Sequence, residues 1–153
     1  MNKAQLYNRI FVQLEDLLKK SPAPVASMAT VSAVLFHKLK HYSWCGFYYL
    51  NSGDLIVGPY QGPVACQMLA RHKGVCWAAI DTRKSQLVPD VEQFAGHIAC
   101  DSRTKSEVVV PLRNAYGEVV AVFDVDSHVL NSFDADDVQG IEKIMQLLEP
   151  FEI

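Results

Sequence analysis

Glu118-Val119-Val120-Ala121-Val122-Phe123-Asp124-Val125-Asp126 is the stretch that most limits what this chain can become. Its apolar residues run on without the alternation of a half-exposed strand, which predicts a strand central in its sheet and covered on both faces. Two acids close the run. Being two apart on a strand, Asp124 and Asp126 send their side chains to the same face. Two like charges at a buried strand end are unfavourable unless they bind something. The other reading is a strand that has frayed before it reaches them, leaving both acids in water.

The preceding segments supply the covering layers. Residues from about Lys3 to Lys20 put Leu6, Ile10, Leu14, Leu17 and Leu18 on one helical face, with Asn2 and Gln5 in capping-box positions. Ser21-Pro22-Ala23-Pro24 breaks the chain, because proline restricts both itself and its predecessor. A second helix, roughly Val25 to Lys40, turns Met28, Val31, Leu35 and Leu39 inward. Trp44 to Leu50 reads as a strand, Asn51-Ser52-Gly53-Asp54 as a turn and Leu55-Ile56-Val57-Gly58 as the antiparallel partner. Gly58, Pro59, Gly62 and Pro63 predict a loop as far as Cys66, and Gly46 marks a possible close approach of backbone.

Lys73 to Ile80 predicts a short helix ending near Arg83, followed by a short strand Gln86-Leu87-Val88 that Pro89 stops. Asp90 to Gly96 is a connector with room for one helical turn. Glu107 to Leu112 forms the next strand, and Arg113 to Gly117 the hairpin turn into the central run. Asp134 caps a final helix with Asp137 in its first turn; Val138, Ile141, Ile144, Met145 and Leu148 face inward before Pro150. Two helices, a hairpin, a mixed middle, a hairpin and a closing helix make an α+β arrangement, an antiparallel sheet with helices on its faces.

Residues 1–153 read as a single domain, long enough to bury about two-thirds of the unfolded surface. The net charge of −3 comes with no block of Lys or Arg, which argues against a nucleic-acid face. Met1-Asn2-Lys3-Ala4-Gln5 lacks the apolar core of a signal peptide and nothing approaches a membrane span, so a cytoplasmic protein is expected. In that reducing compartment Cys45, Cys66, Cys76 and Cys100 should not be permanent cross-links. None lies in a C-x-x-C pair, so no structural metal is expected, and no cofactor.

The chemistry concentrates in His97-Ile98-Ala99-Cys100-Asp101-Ser102-Arg103-Thr104-Lys105-Ser106-Glu107. A short apolar approach delivers a thiol beside one carboxylate, and a polar turn leads to a second at the start of a strand. Thiol and carboxyl groups together can attack an electrophile and handle protons. The plainer alternative is a buried cysteine at a strand end with solvated acids around it.

Six motifs in order carry a resemblance: Trp44-Cys45-Gly46-Phe47-Tyr48; Gly58-Pro59-Tyr60-Gln61-Gly62 through Ala65-Cys66; Gly74-Val75-Cys76; His97-Ile98-Ala99-Cys100-Asp101; Ser106-Glu107-Val108-Val109-Val110-Pro111-Leu112; and Phe123-Asp124-Val125-Asp126-Ser127. Together, over nearly the whole chain, they resemble the free methionine-(R)-sulfoxide reductases, GAF-domain enzymes that repair the free amino acid. The resemblance implies a GAF-like, six-stranded antiparallel sheet with helices packed on its faces, commonly as a homodimer. It implies that Cys100 attacks the sulfoxide and that Cys66 resolves the product, with Cys76 an alternative disulfide partner. It places Glu107, Asp124 and Asp126 around the sulfoxide oxygen, and Trp44 and Tyr48 against the substrate methyl group. Both aromatics are equally at home in a core. Trp77 stands where the family usually has glycine, and a large indole there is expected to narrow the pocket or reshape its lid. Cys45 reads as a small core residue and His97 as structural.

The residues then suggest a mechanism. Three carboxyl groups around one oxygen cannot all ionise cheaply, so at least one keeps a proton for the sulfoxide oxygen. Cys100 as thiolate would attack the sulfur and become a sulfenic acid; Cys66 would condense with it, and thioredoxin or a similar dithiol would reduce the disulfide. Two rival functions are a GAF sensor that binds a small molecule without turnover, and a metal-bound hydrolase using Asp124, Asp126 and His97. A sensor would need an output domain for which this chain has no room, and a hydrolase a His-rich ligand motif it lacks.

Overall fold

The computed structural model of the chain describes residues 1–153. Two helices come first, α1 (Lys3–Leu18) and α2 (Pro24–Lys38). Strands β1 (Trp44–Asn51), β2 (Asp54–Gln61) and the two-residue β3 (Met68–Leu69) follow, then α3 (Gly74–Thr82) and β4 (Gln86–Val88). One 3₁₀ turn at Val91–Gln93 precedes β5 (Ser106–Arg113) and β6 (Val119–Ser127), and α4 (Ala135–Met145) closes the fold. The strands make one sheet in the order β3-β2-β1-β6-β5-β4, every neighbouring pair antiparallel. This is the α+β arrangement expected, a six-stranded antiparallel sheet with helices on its faces and β6 in its interior.

β6 divides its side chains between two cores. Ala121, Phe123 and Val125 face α1, α2 and α4, where they meet Ile10, Leu14 and Met28. Val122 points the other way and packs with Val75 and Trp77 of α3. Phe123 is fully buried against the Phe47 ring, 4.8 Å between centroids, so truncation to alanine would cost about 3–5 kcal/mol. Pairing with β1 and β5 continues to Asp126 and Ser127. The strand has not frayed at its acids.

Local chemistry sets the helix ends. The Asn2 side chain accepts from the Gln5 amide while the Asn2 amide donates to the Gln5 side chain, a reciprocal cap on α1. Pro24 opens α2, where a missing N–H is harmless. Asp137 does more than complement a helix dipole. Fully buried, it accepts hydrogen bonds from Lys3 Nζ (2.6 Å), Tyr7 Oη (2.7 Å), His41 Nε2 (2.8 Å) and the Asp134 amide (2.8 Å). Burial alone would push its carboxyl up; the bonds from His41 and Lys3 hold it below the ordinary carboxylate range. The group knots α1 to α4.

Several expectations need correction. Leu17 is 50 % exposed, and Tyr7 takes the place assigned to it on the inner face of α1. β2 does not stop at Gly58 but runs on to Gln61, because a bulge opposite Phe47 absorbs Gly58 and Pro59 and the pairing resumes at Gly46 and Tyr60. β3 was not foreseen; its two residues pair with Ile56 and Leu55. α1 and α2 each end two residues early, at Leu18 and Lys38. No helix is long and apolar enough to cross a membrane.

Candidate active site

Strand register assembles the site. Trp44 on β1 lies opposite Asp126 on β6, and Asp126 opposite Glu107 on β5, so three candidate residues form one row across the sheet. One step along the same face, Gly46 lies opposite Asp124. A Cβ at Gly46 would sit 2.2 Å from Tyr60 Cβ and 2.9 Å from the Trp44 ring, so only glycine fits here. That gap lets Trp44 stack between Tyr60 (5.3 Å between centroids) and Tyr48 (6.0 Å).

Above these residues lies a small cavity that opens in part to solvent. Trp44, Tyr48, Glu107, Asp124 and Asp126 line it from the sheet, and Cys76 from the first turn of α3. Cys100 and Asp101 border it from the loop before β5. Residues 24 positions apart along the chain, from Cys100 to Asp124, therefore share one small hollow. Ile98 closes one side against Gly74, whose φ of +83° is a conformation glycine tolerates best.

Glu107 and Asp124 are buried, each 6 % exposed, and Asp126 is half-buried. Burial first, then the neighbouring Asp126 charge, pushes the Glu107 carboxyl up to about 8. Burial and mutual repulsion push Asp124 and Asp126 well above their ordinary value as well. At neutral pH the cluster thus retains protons that it can donate. Oδ1 of Asp124, Oδ1 of Asp126 and Nε1 of Trp44 are buried without a hydrogen-bond partner from the chain. Unpaired buried polar atoms are unfavourable unless a ligand meets them, and all three belong to residues of this cavity. His97 also lines it, Nε2 lying 3.5 Å from Glu107 Oε1, and burial lowers its proton affinity.

Cys66 and Cys100 form a disulfide, their Cα atoms 5.6 Å apart. Cys100 is exposed and sits in a bend, six residues before β5 begins, not buried at a strand end. Tyr48 Oη donates to the Cys66 carbonyl at 3.0 Å, fixing the loop that carries the partner sulfur. Cys76 is a free, buried thiol, held protonated by burial and by the carboxylates nearby. One potential ligand atom each from Cys76, Glu107 and Asp124 lies within 4.8 Å of the others. Cys45 is buried in the opposite core, its thiol donating to the Ser32 carbonyl.

Trp77 does not narrow the cavity. Its indole points away, donating to the Leu69 carbonyl at 3.2 Å and packing 4.6 Å from the His72 ring. Two residues that sequence reasoning passed over do line the hollow: Lys73, directly before α3, and Thr104. A cation just ahead of a glycine that opens a helix was the available signal for Lys73.

A family model described as the GAF domain matches residues 27–149. "GAF domain-containing protein A" of Dictyostelium discoideum is 40 % identical, over 97 % of this chain and 93 % of its own length. The free methionine-R-sulfoxide reductase of Escherichia coli is 36 % identical, over 97 % and 90 %. The X-ray structure of the corresponding Neisseria meningitidis reductase, in complex with its substrate, superposes with a TM-score of 0.93 at 35 % identity, covering 97 % of this chain and 89 % of that one. These likenesses run across the strands, α3 and the cysteine loops that build the cavity, and the chain belongs to the GAF-domain family of free methionine-(R)-sulfoxide reductases.

Proposed function

We propose that this protein reduces free L-methionine-(R)-sulfoxide to L-methionine, with Cys100 as nucleophile. The observation that carries the reading is the Cys66–Cys100 disulfide at the edge of a cavity floored by acids with unpartnered oxygens. The sulfoxide oxygen accepts a proton or hydrogen bond from the Glu107, Asp124 and Asp126 cluster, which makes its sulfur electrophilic. The Cys100 thiolate attacks that sulfur, the sulfur–oxygen bond of the substrate breaks, methionine departs and Cys100 carries the oxygen as a sulfenic acid. The Cys66 thiol then attacks the Cys100 sulfur, water leaves and the disulfide forms. An external dithiol of the thioredoxin type supplies two electrons and two protons to restore both thiols.

Trp44 and Tyr48 form the wall for the substrate methyl group in this reading. Cys76 is a reserve thiol, since its high proton affinity makes it a poor nucleophile while the site is dry. The family likeness further supports a single-domain protein that works as a homodimer in the cytoplasm. Incubating the protein with dithiothreitol and the free R-sulfoxide, then measuring methionine, tests the whole reading. Turnover is expected in the wild type and none in Cys100→Ser. Ligand binding without methionine release would identify a sensor instead, and normal turnover in Cys100→Ser would remove the proposed nucleophile.

A further inference from the structure

Cys76 is the one reactive group of the cavity that the catalytic cycle leaves idle. Its thiol is free and buried, and its sulfur, one oxygen of Glu107 and one of Asp124 all lie within 4.8 Å of one another. His97 Nε2 stands 3.5 Å from Glu107 Oε1 and lines the same hollow. A thiol, two carboxyl groups and an imidazole thus converge from α3, β5, β6 and the approach to Cys100.

Buried carboxyl groups ordinarily meet a cation. The lysines and arginines of this chain that form ion pairs do so with Asp16, Asp54, Asp101, Asp134 and Asp137, and with neither Glu107 nor Asp124. Asp124, almost wholly covered, keeps Oδ1 without a hydrogen-bond partner in the cavity. An unpartnered buried oxygen beside a free thiol offers two donor atoms to one ligand.

The donor set selects the kind of ion. Zinc takes thiolate sulfur at about 2.3 Å and imidazole or carboxylate at about 2.0–2.2 Å. Magnesium and calcium favour oxygen alone, so a site containing sulfur and nitrogen disfavours them. Atoms already within 4.8 Å of one another can close on a single ion by side-chain rotation, and the opening to solvent gives it a way in.

We propose that Cys76, Glu107 and Asp124, with His97 as a fourth donor, form a site for zinc or a similar borderline divalent cation, whose binding reversibly inhibits the enzyme. The inhibition rests on the catalytic reading above; the binding does not. The ion is no cofactor of the reaction. It forms bonds to the Cys76 sulfur and the two carboxylates, their protons pass to solvent, and nothing is oxidised or reduced. Glu107 and Asp124, once held by a dication, can no longer donate to a sulfoxide oxygen.

The disulfide form is the one to load, because it removes Cys66 and Cys100 as competing thiolates and leaves Cys76 and Cys45, the latter in the opposite core. Cobalt(II) added without thiol should give a thiolate-to-metal charge-transfer band in the near ultraviolet, saturating at one ion per chain and displaced by zinc but not by magnesium. Cys76→Ser should lack the band. By calorimetry, zinc affinity should fall about a hundredfold in that variant and about tenfold or more in Asp124→Asn, as for loss of a ligand. No band in the wild type, displacement by magnesium as readily as by zinc, or a band that survives in Cys76→Ser would overturn the site. For the inhibition, zinc should suppress the first equivalent of methionine released by Cys66→Ser, and a chelator should restore it. A site that fills without slowing that release would overturn the inhibitory role. A wild type that takes up cobalt as described but reduces no sulfoxide would remove the catalytic reading and leave the metal site standing.

Discussion

Replacing Glu107 by glutamine tests the acid cluster through stability as well as catalysis. In the unfolded chain this carboxyl ionises near its ordinary value of 4.5, whereas in the folded protein it holds its proton up to about 8. Between those values the folded state binds one more proton than the unfolded state, so stability falls as pH rises. The slope for one proton is about 1.4 kcal/mol per pH unit, or on the order of 4 kcal/mol between pH 5 and pH 8. Glu107→Gln keeps the shape but cannot titrate, and it also removes a charge that raises Asp124. Urea unfolding at half-unit steps across that window should give a wild-type curve that falls towards pH 8 and a variant curve flatter by at least one proton. The difference between the curves cancels the titrating groups that Glu107 does not touch, leaving its own proton and its effect on the neighbouring acids. Activity should fall by about a hundredfold or more, since an amide cannot donate the proton. Parallel stability curves would refute the argument, because they would mean that Glu107 ionises in the fold as freely as it does in water.

Further outcomes follow from the same geometry. Cys66→Ser should retain the first equivalent of methionine but slow dithiol-driven turnover by about tenfold or more, with a sulfenic acid at Cys100 trapped by dimedone and located by peptide mass mapping; unchanged turnover would take Cys66 out of the cycle. Trp44→Phe keeps a ring but removes the unpartnered indole N–H, and should raise KM by about five- to tenfold, a lost hydrogen bond's worth. An unchanged KM would make Trp44 a packing residue only. Gly46→Ala should destabilise the fold by about 2–4 kcal/mol in urea unfolding, because its Cβ would collide with Tyr60 and the Trp44 ring.

Much of this was legible because strand periodicity is rigid. Once β6 is a strand, Asp124 and Asp126 must share a face, and their juxtaposition with Glu107 needs only the hairpin turn before β6 to set the register. The capping pair Asn2–Gln5 and the Asp134 cap likewise show in the residues alone, as their chemistry is local. What stayed hidden depends on distant partners. β3 consists of two residues that mean nothing until β2 lies beside them. Pro59 reads as a breaker unless a bulge opposite Phe47 is known to absorb it. The direction of the Trp77 indole is decided by the Leu69 carbonyl and the His72 ring, neither of which its own neighbours specify. Lys73 shows in the sequence only as a cation directly ahead of the glycine that opens α3, and the fold alone brings it to the cavity.

The sheet also acts as a partition between two unequal bodies of packing. On one side α1, α2 and α4 seal a core that includes Phe47, Phe123 and Met145, with Asp137 tied in four ways beneath it. On the other, a smaller cluster shares its floor with protonated acids and is roofed by loops rather than long helices. Amide hydrogen exchange should accordingly divide in two, slow and near the global limit for β6 and α4, faster for α3 and the segment carrying Cys100. The covering of the cavity can then open by local unfolding while the three-helix side stays intact, and polar substitutions on the reactive side can be tolerated by a fold anchored elsewhere.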